Sequence, residues 1–224
     1  MARLKSQTLG VINGKIGNIV YRQVNGKTFA SIRPTKYNVT NTEKSVKVKN
    51  GFKNLVRFSA FVNSIPILKA IWSNKKIQRG KRTYNKIFSQ NKGYIKSEKI
   101  TKYFTIVPEG SNGNLYVSNL TVKNNKCNFV LNYRGDLETI FDYNFVIVII
   151  IYNSKLDQYT YQSNEIILEE KLNQHYVSLD LTDECSKYFS TDEESILFYT
   201  VVQLDGEDRI INWSYSFGFV QIEE

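Results

Sequence analysis

The chain has 224 residues, 42% hydrophobic and 23% charged, with 12 Gly and 3 Pro. That balance belongs to a folded globular protein with room for one large domain or two small ones, and it excludes collagen-like, low-complexity and disordered chains. The net charge of +9 conceals a division: residues 1–105 hold 23 of the 30 Lys and Arg but only two acids, Glu43 and Glu98, whereas residues 106–224 hold seven bases and 19 acids.

The two parts therefore carry +21 and −12. So large an asymmetry speaks about partners rather than fold. A basic half suits nucleic acid, where each neutralised phosphate releases a counterion. It also suits an acidic protein surface, or the acidic half of a second copy, which favours head-to-tail assembly. A solubilising surface with no partner is the plain alternative.

In chain order, the first ten residues, MARLKSQTLG, contain no apolar run of signal-peptide length. A cytoplasmic or virion location is expected, with no membrane span. The stretch Gly14–Phe29, GKIGNIVYRQVNGKTF, then poses a choice between a phosphate loop and a pair of turns. A P-loop needs a glycine five residues before Gly-Lys and a Ser or Thr after it. Before Gly14-Lys15 the nearest glycine, Gly10, is one residue too close, and Ile16 occupies the Ser/Thr position. Before Gly26-Lys27-Thr28 the required glycine is Tyr21.

Asn-Gly between alternating runs is instead a hairpin signal. With Asn25-Gly26 as the loop, Val24 faces Lys27, Arg22 faces Phe29, Val20 faces Ser31 and Ile19 faces Ile32. Ile19, Tyr21, Ala30 and Ile32 fall on one face and Val20, Arg22, Val24, Lys27 and Phe29 on the other. Asn13-Gly14 is expected to fold the preceding LGVI back, making a three-stranded meander. A ribbon this small needs cover from its own helices or from a partner.

Helical spacing follows. Thr40 and Glu43 fit a capping box, and Val48, Phe52, Leu55, Val56 and Val62 form an apolar stripe ending at Ser64, before Pro66. Gly51 is expected to delay or bend this helix. Lys47, Lys53 and Arg57 mark its polar face. A short second helix carries Ile67, Leu68, Ile71 and Trp72; residues 74–82, NKKIQRGKR, form a basic loop; a last helix precedes Gly93. Lys75, Lys76, Arg79, Lys81 and Arg82, beside Trp72, Tyr84 and Phe88, make either a phosphate-and-stacking surface or an ordinary core with a solvated rim.

From Asn112 the pattern is short strands: 115–122, 126–133, 144–152, 158–162, 175–181, 195–203 and 209–220, with turns at Asn124-Asn125 and Asp205-Gly206. The run Phe145–Ile151 reads as a strand buried on both faces. Asn128, Val130 and Asn132 alternate with Cys127, Phe129 and Leu131, so one face of that strand is expected to be wet. Thr182 is expected to cap a single helical turn. About seven such strands suggest an immunoglobulin- or fibronectin-III-like sandwich. The fold class is thus α+β: a basic hairpin-plus-helices region over 1–105, then an acidic all-β sandwich over 106–224.

Reaction chemistry has little support. His175 is the one histidine, and Cys127 and Cys185 lack CxxC spacing. Free thiols are expected, with one disulfide as the alternative. The acids Asp183-Glu184 and Asp192-Glu193-Glu194 lack EF-hand spacing and read as a solvated edge. No enzymatic activity, cofactor, metal or small-molecule substrate is expected.

The order of these features resembles a family of this length, with no assigned activity, from Bacteroidetes-type bacteria and their phages. The residues that carry the likeness are the Met1-Ala2-Arg3 start with Lys5, the hairpin pattern Gly10, Gly14, Lys15, Ile16, Gly17, Ile19 and Val20, and Arg33-Pro34. The resemblance implies the same order of hairpin, helices and sandwich. The expected role is a non-enzymatic structural or assembly protein of a phage or phage-like particle, contacting other protein subunits through Lys15, Arg22, Lys27, Arg33, Lys75, Lys76, Arg79, Lys81 and Arg82. The alternative is a nucleic-acid-associated protein using the same basic half.

Overall fold

The computed structural model describes residues 2–3, 14–24, 27–33, 41–73, 81–95, 98–109, 114–189 and 195–219. The chain divides into two compact units, Met1–Thr42 and Glu43–Glu224. Helices and antiparallel sheets coexist, as the α+β class requires.

The first unit is a small antiparallel sheet of β1 (Ala2–Arg3), β2 (Gly14–Ile16), β3 (Ile19–Val24) and β4 (Lys27–Ile32), in the order β1-β4-β3-β2. All four expected β3–β4 pairs occur: Ile19↔Ile32, Val20↔Ser31, Arg22↔Phe29 and Val24↔Lys27. Asn25-Gly26 and LGVI lie outside the described residues. β2, β3 and β4 form a three-stranded meander; the expected fold-back of LGVI at Asn13-Gly14 lies outside the described residues. Gly14 begins β2, and the chain reverses at Gly17-Asn18, between the paired Ile16 and Ile19. Gly17 has φ +58°. A positive φ at the first loop position is what a type II′ hairpin turn needs, and glycine adopts it without a Cβ clash.

The second unit begins with α1 (Glu43–Ser64), α2 (Pro66–Ser73) and α3 (Thr83–Asn91). The expected capping residue Thr40 is outside the described residues. α1 runs unbroken through Gly51 and buries Gly51, Leu55, Phe58, Ser59 and Val62, a stripe at spacings of three and four. Pro66 disfavours helical backbone at Ile65 and then opens α2, whose axis turns 97° from that of α1. Leu68, Ile71 and Trp72 of α2 are buried. Each such large apolar side chain stabilises the fold by about 1.5–3 kcal/mol. No single helix among the described residues is long and apolar enough to cross a membrane.

Two sheets follow. β5 (Leu115–Lys123), β6 (Lys126–Tyr133) and β9 (Gln174–Asp180) form one, in the order β5-β6-β9. The other contains β7 (Asn144–Asn153), β8 (Gln158–Ile166), β10 (Ser195–Leu204), β11 (Ile210–Trp213) and β12 (Phe217–Phe219), with β10 central to β7, β11 and β12 and β8 outside β7. Asn124 and Asn125 both have positive φ, at 52° and 61°, forming the expected two-residue β5–β6 turn. α4 (Asp183–Tyr188) is capped by Thr182, whose Oγ1 accepts from Cys185 N–H.

β7 is buried on both faces, as its β-branched run predicts. Phe145, Ile147, Ile149 and Ile151 join Cys127, Phe129, Leu131, Leu197 and Val201 in a core between the sheets. Val148, Ile150 and Tyr152 join Phe58, Leu68, Trp72 and Phe198 in a second core, under the helices. The helices therefore share a core with a sheet. The expected division at 105/106 follows charge, and packing runs across it: Ile100, Phe104, Ile106 and Val107 are all buried in the helix-side core.

Two strand expectations change. The stretch 209–220 is two strands, not one, because Ser214 replaces a rung: its Oγ accepts from Val201 N–H at 2.8 Å. The outer face of β6 is not wet throughout. Val130 and Asn132 are buried, with Asn132 donating to Ser118 Oγ at 2.9 Å and accepting from Gln174 Nε2 at 3.2 Å.

Candidate interaction surfaces

In the β2-β3-β4 ribbon, directly paired residues share a face and neighbours along a strand alternate. One face carries Lys15 on β2, Arg22 on β3 and Lys27 on β4, all exposed. Val20 and Phe29, half-buried, lie between them. Each cation sits one strand across and two residues along from the last, so the three form a diagonal with Cα spacing of about 8 Å. Arg33 continues β4: its N–H donates to Asn18 C=O at 2.8 Å, and its side chain is exposed.

The opposite face is apolar. Ile16 pairs with Ile19, which pairs with Ile32, so three isoleucines stand in one row across three strands. They are 61%, 38% and 78% exposed. The sequence places Ile19 and Ile32 together; Ile16 joins them through the reversal at Gly17-Asn18, a Gly-Asn pair that the hairpin pattern of this stretch does not mark. The unit to which this ribbon belongs, residues 1–42, has seven Lys and Arg and no acid.

The basic loop gives less. Lys75, Lys76 and Arg79 lie outside the described residues. Lys81 and Arg82 stand exposed at the start of α3, where Lys81 Nζ donates to Ser89 Oγ at 3.1 Å and Arg82 C=O accepts from Lys86 N–H at 3.1 Å. Trp72 is wholly buried, and its Nε1–H donates to Ile106 C=O at 2.9 Å, so it offers no stacking surface. Lys86 is buried too, its Nζ donating to Trp72 C=O at 2.8 Å, at the end of α2 where helix carbonyls favour a cation.

A groove of about 430 Å³ lies on α1 and α3, lined by Val48, Phe52, Leu55, Phe88 and Ile95, with Lys47, Lys92 and Glu98 around it. Val48 and Phe52, expected in the buried stripe, are 65% and 55% exposed. Phe52 meets Phe88 edge-on at 5.5 Å. Lys47 pairs with Glu43, and Arg57 pairs with Asp157 of the β7–β8 turn.

Cys127 and Cys185 are free and buried. Burial pushes the Cys127 thiol up to about 12. His175 is buried on β9, its Nε2 within 2.8 Å of Leu172 C=O. Among the described residues no three His, Cys, Asp or Glu are grouped to hold a metal. Asp192, Glu193 and Glu194 lie outside those residues. No protein-family model matches the chain, and no curated protein sequence matches it.

Proposed function

We propose that this protein is a non-enzymatic structural component of an assembly, of the phage or phage-like kind, which docks through its N-terminal ribbon. The row Ile16, Ile19 and Ile32 carries the reading: three large apolar side chains stand exposed on one ribbon face. Exposed apolar rows of this sort mark surfaces meant to be covered. The phage setting draws on the hairpin resemblance of Gly10–Val20. A sandwich of fibronectin-III type is supported by strand order. Counting from β5, the first, second and fifth strands share one sheet, and the rest share the other, with the fourth beside the third.

Light scattering on the full chain, at rising concentration and low salt, tests this. Self-association, or recovery within a multi-subunit particle, is expected. Ile19→Ser with Ile32→Ser should weaken association at least 10-fold while leaving unfolding of the second unit unchanged. A monomer at every concentration that enters no particle overturns the reading.

The diagonal of Lys15, Arg22 and Lys27 favours a second reading, nucleic-acid binding. Three phosphate contacts predict a slope of about −2 to −3 in log K against log salt. A flat salt dependence removes it.

A further inference from the structure

Resting on the assembly reading, we infer that the partner of the ribbon is the edge of β8 in a second copy of this chain, with β2, the ribbon's edge strand among the described residues, adding as the next strand. Sheet edges offer unpaired N–H and C=O groups and are normally blunted by bulges, lysines, prolines or breaks. Two edges of the second unit are blunted in this way. β5 slips register between Ser118 and Thr121, where Asn119 has φ +53°, and the far edge of the larger sheet is split into β11 and β12. β8 is not blunted. It pairs with β7 in unbroken register from Gln158↔Asn153 to Ile166↔Phe145 and has no Pro, Gly, Lys or Arg. Among the described residues, no backbone bond outside the β7 ladder claims its N–H or C=O groups. β9, the remaining edge among the described residues, is also regular, but no ring packs beside its exposed Tyr176 as Phe61 packs beside Tyr161.

The flank of β8 offers an aromatic side and, across the strand, an acidic helix start. On one side of β8, Tyr159 stacks on Phe61 at 5.0 Å and Tyr161, 44% exposed, meets Phe61 edge-on at 6.2 Å. On the other side Gln162 donates to Asp180 C=O and accepts from Thr182 N–H, which brings the start of α4, with the exposed Asp183 and Glu184, alongside. Lys187 is the cation on α4, and Lys126 pairs with Asp180 at 3.6 Å. Glu165, alternating with Ser163 and Tyr161, lies on the Tyr161 side, so the acidity of the other side comes from Asp183 and Glu184. A ribbon added edge to edge continues both surfaces at once. Its isoleucine row extends the Tyr161 side, and Lys15, Arg22 and Lys27 face the carboxylates. Main-chain bonds supply the register-independent part of such strand addition, and side chains on alternate faces supply the selection. Because β2 and β8 are different surfaces, the contact is head-to-tail and builds rings or filaments.

The test uses the full chain. Ile16→Cys in one preparation is mixed with Ser163→Cys in another under mild oxidation; a disulfide-linked heterodimer is expected, since both positions are exposed and the native thiols are buried. Separately, Ser163→Lys with Glu165→Lys should weaken self-association at least 10-fold, with an unchanged circular dichroism spectrum. If the unmodified chain assembles but no heterodimer forms and the edge lysines change nothing, this inference fails and the assembly reading stands. If the unmodified chain stays monomeric throughout, both fail.

Discussion

Asn91 and Thr105 exchange two hydrogen bonds: Asn91 Nδ2 donates to Thr105 C=O at 2.9 Å, and Asn91 Oδ1 accepts from Thr105 N–H at 2.7 Å. The amide side chain thus acts as a one-residue strand, holding the segment after α3 against the helix. Asn91 is wholly buried, and its loss leaves two half-buried backbone groups of Thr105 without their partner. Asn91→Ala is expected to cost about 2–4 kcal/mol. For a chain of this size that lowers Tm by roughly 5–12 °C. Asn91→Asp should do no better, because a carboxylate cannot donate to Thr105 C=O. A denaturation midpoint within error of the parent for either variant would contradict this role.

Gly218 holds the other end of the same segment. Its N–H donates to Lys102 C=O at 3.0 Å, and a Cβ built there would stand 2.5 Å from Lys102 Cα and 2.7 Å from its carbonyl oxygen. Both are backbone atoms, which cannot swing aside as a side-chain tip can. Gly218→Ala should therefore destabilise by about 1–3 kcal/mol through overpacking. Gly206 meets nothing within 4 Å, so Gly206→Ala is the control and should stay within about 0.5 kcal/mol of the parent. Equal urea midpoints for the two variants would sink the argument.

The same positions show what a sequence can and cannot reveal here. The β3–β4 register follows from period-two alternation around one turn, so Ile19 and Ile32 were bound to pair once the loop was placed. β7 announces itself because six β-branched residues in a row suit only a strand covered on both sides. Helical periodicity finds the stripe on α1 but not where its cover ends, so Phe52 continues the pattern and yet is exposed. Ser214 and Ser216 continue an alternation that reads as one strand; their hydroxyls, accepting from Val201 and Ile106 N–H, break it. That no described strand lies beyond β8 is a property of its neighbours, which no local pattern records.

The thiols should be silent in the folded chain. Cys127 is pushed up to about 12 by burial, and burial raises Cys185 as well, with hydrogen bonds to Thr182 and Thr160 opposing it in part. The thiolate is the reactive form, so neither residue should react with a disulfide reagent at pH 8. Two equivalents should appear on denaturation. Rapid labelling of the native protein would show that the core between the sheets opens readily.

Alkaline pH should loosen the helix-side core through two tyrosines. Burial is the main cause that raises Tyr152, to about 12, with Asp157 adding to it; burial likewise raises Tyr159, and its neighbour Tyr152 adds further. The folded state holds these protons more tightly than the unfolded chain, whose tyrosines titrate near 10. Their stabilising contribution is therefore fully present below pH 10 and is lost as pH rises from 10 towards 12. Lysines titrate in the same window, so the comparison that isolates the effect is Tyr159→Phe. At pH 7 this variant should unfold near the parent midpoint, and between pH 10 and 11.5 its midpoint should fall less steeply. Tyrosinate absorbance should rise in step with unfolding for these two rings rather than before it. Parallel decline of parent and variant would show that the burial of Tyr159 is not linked to stability in this way.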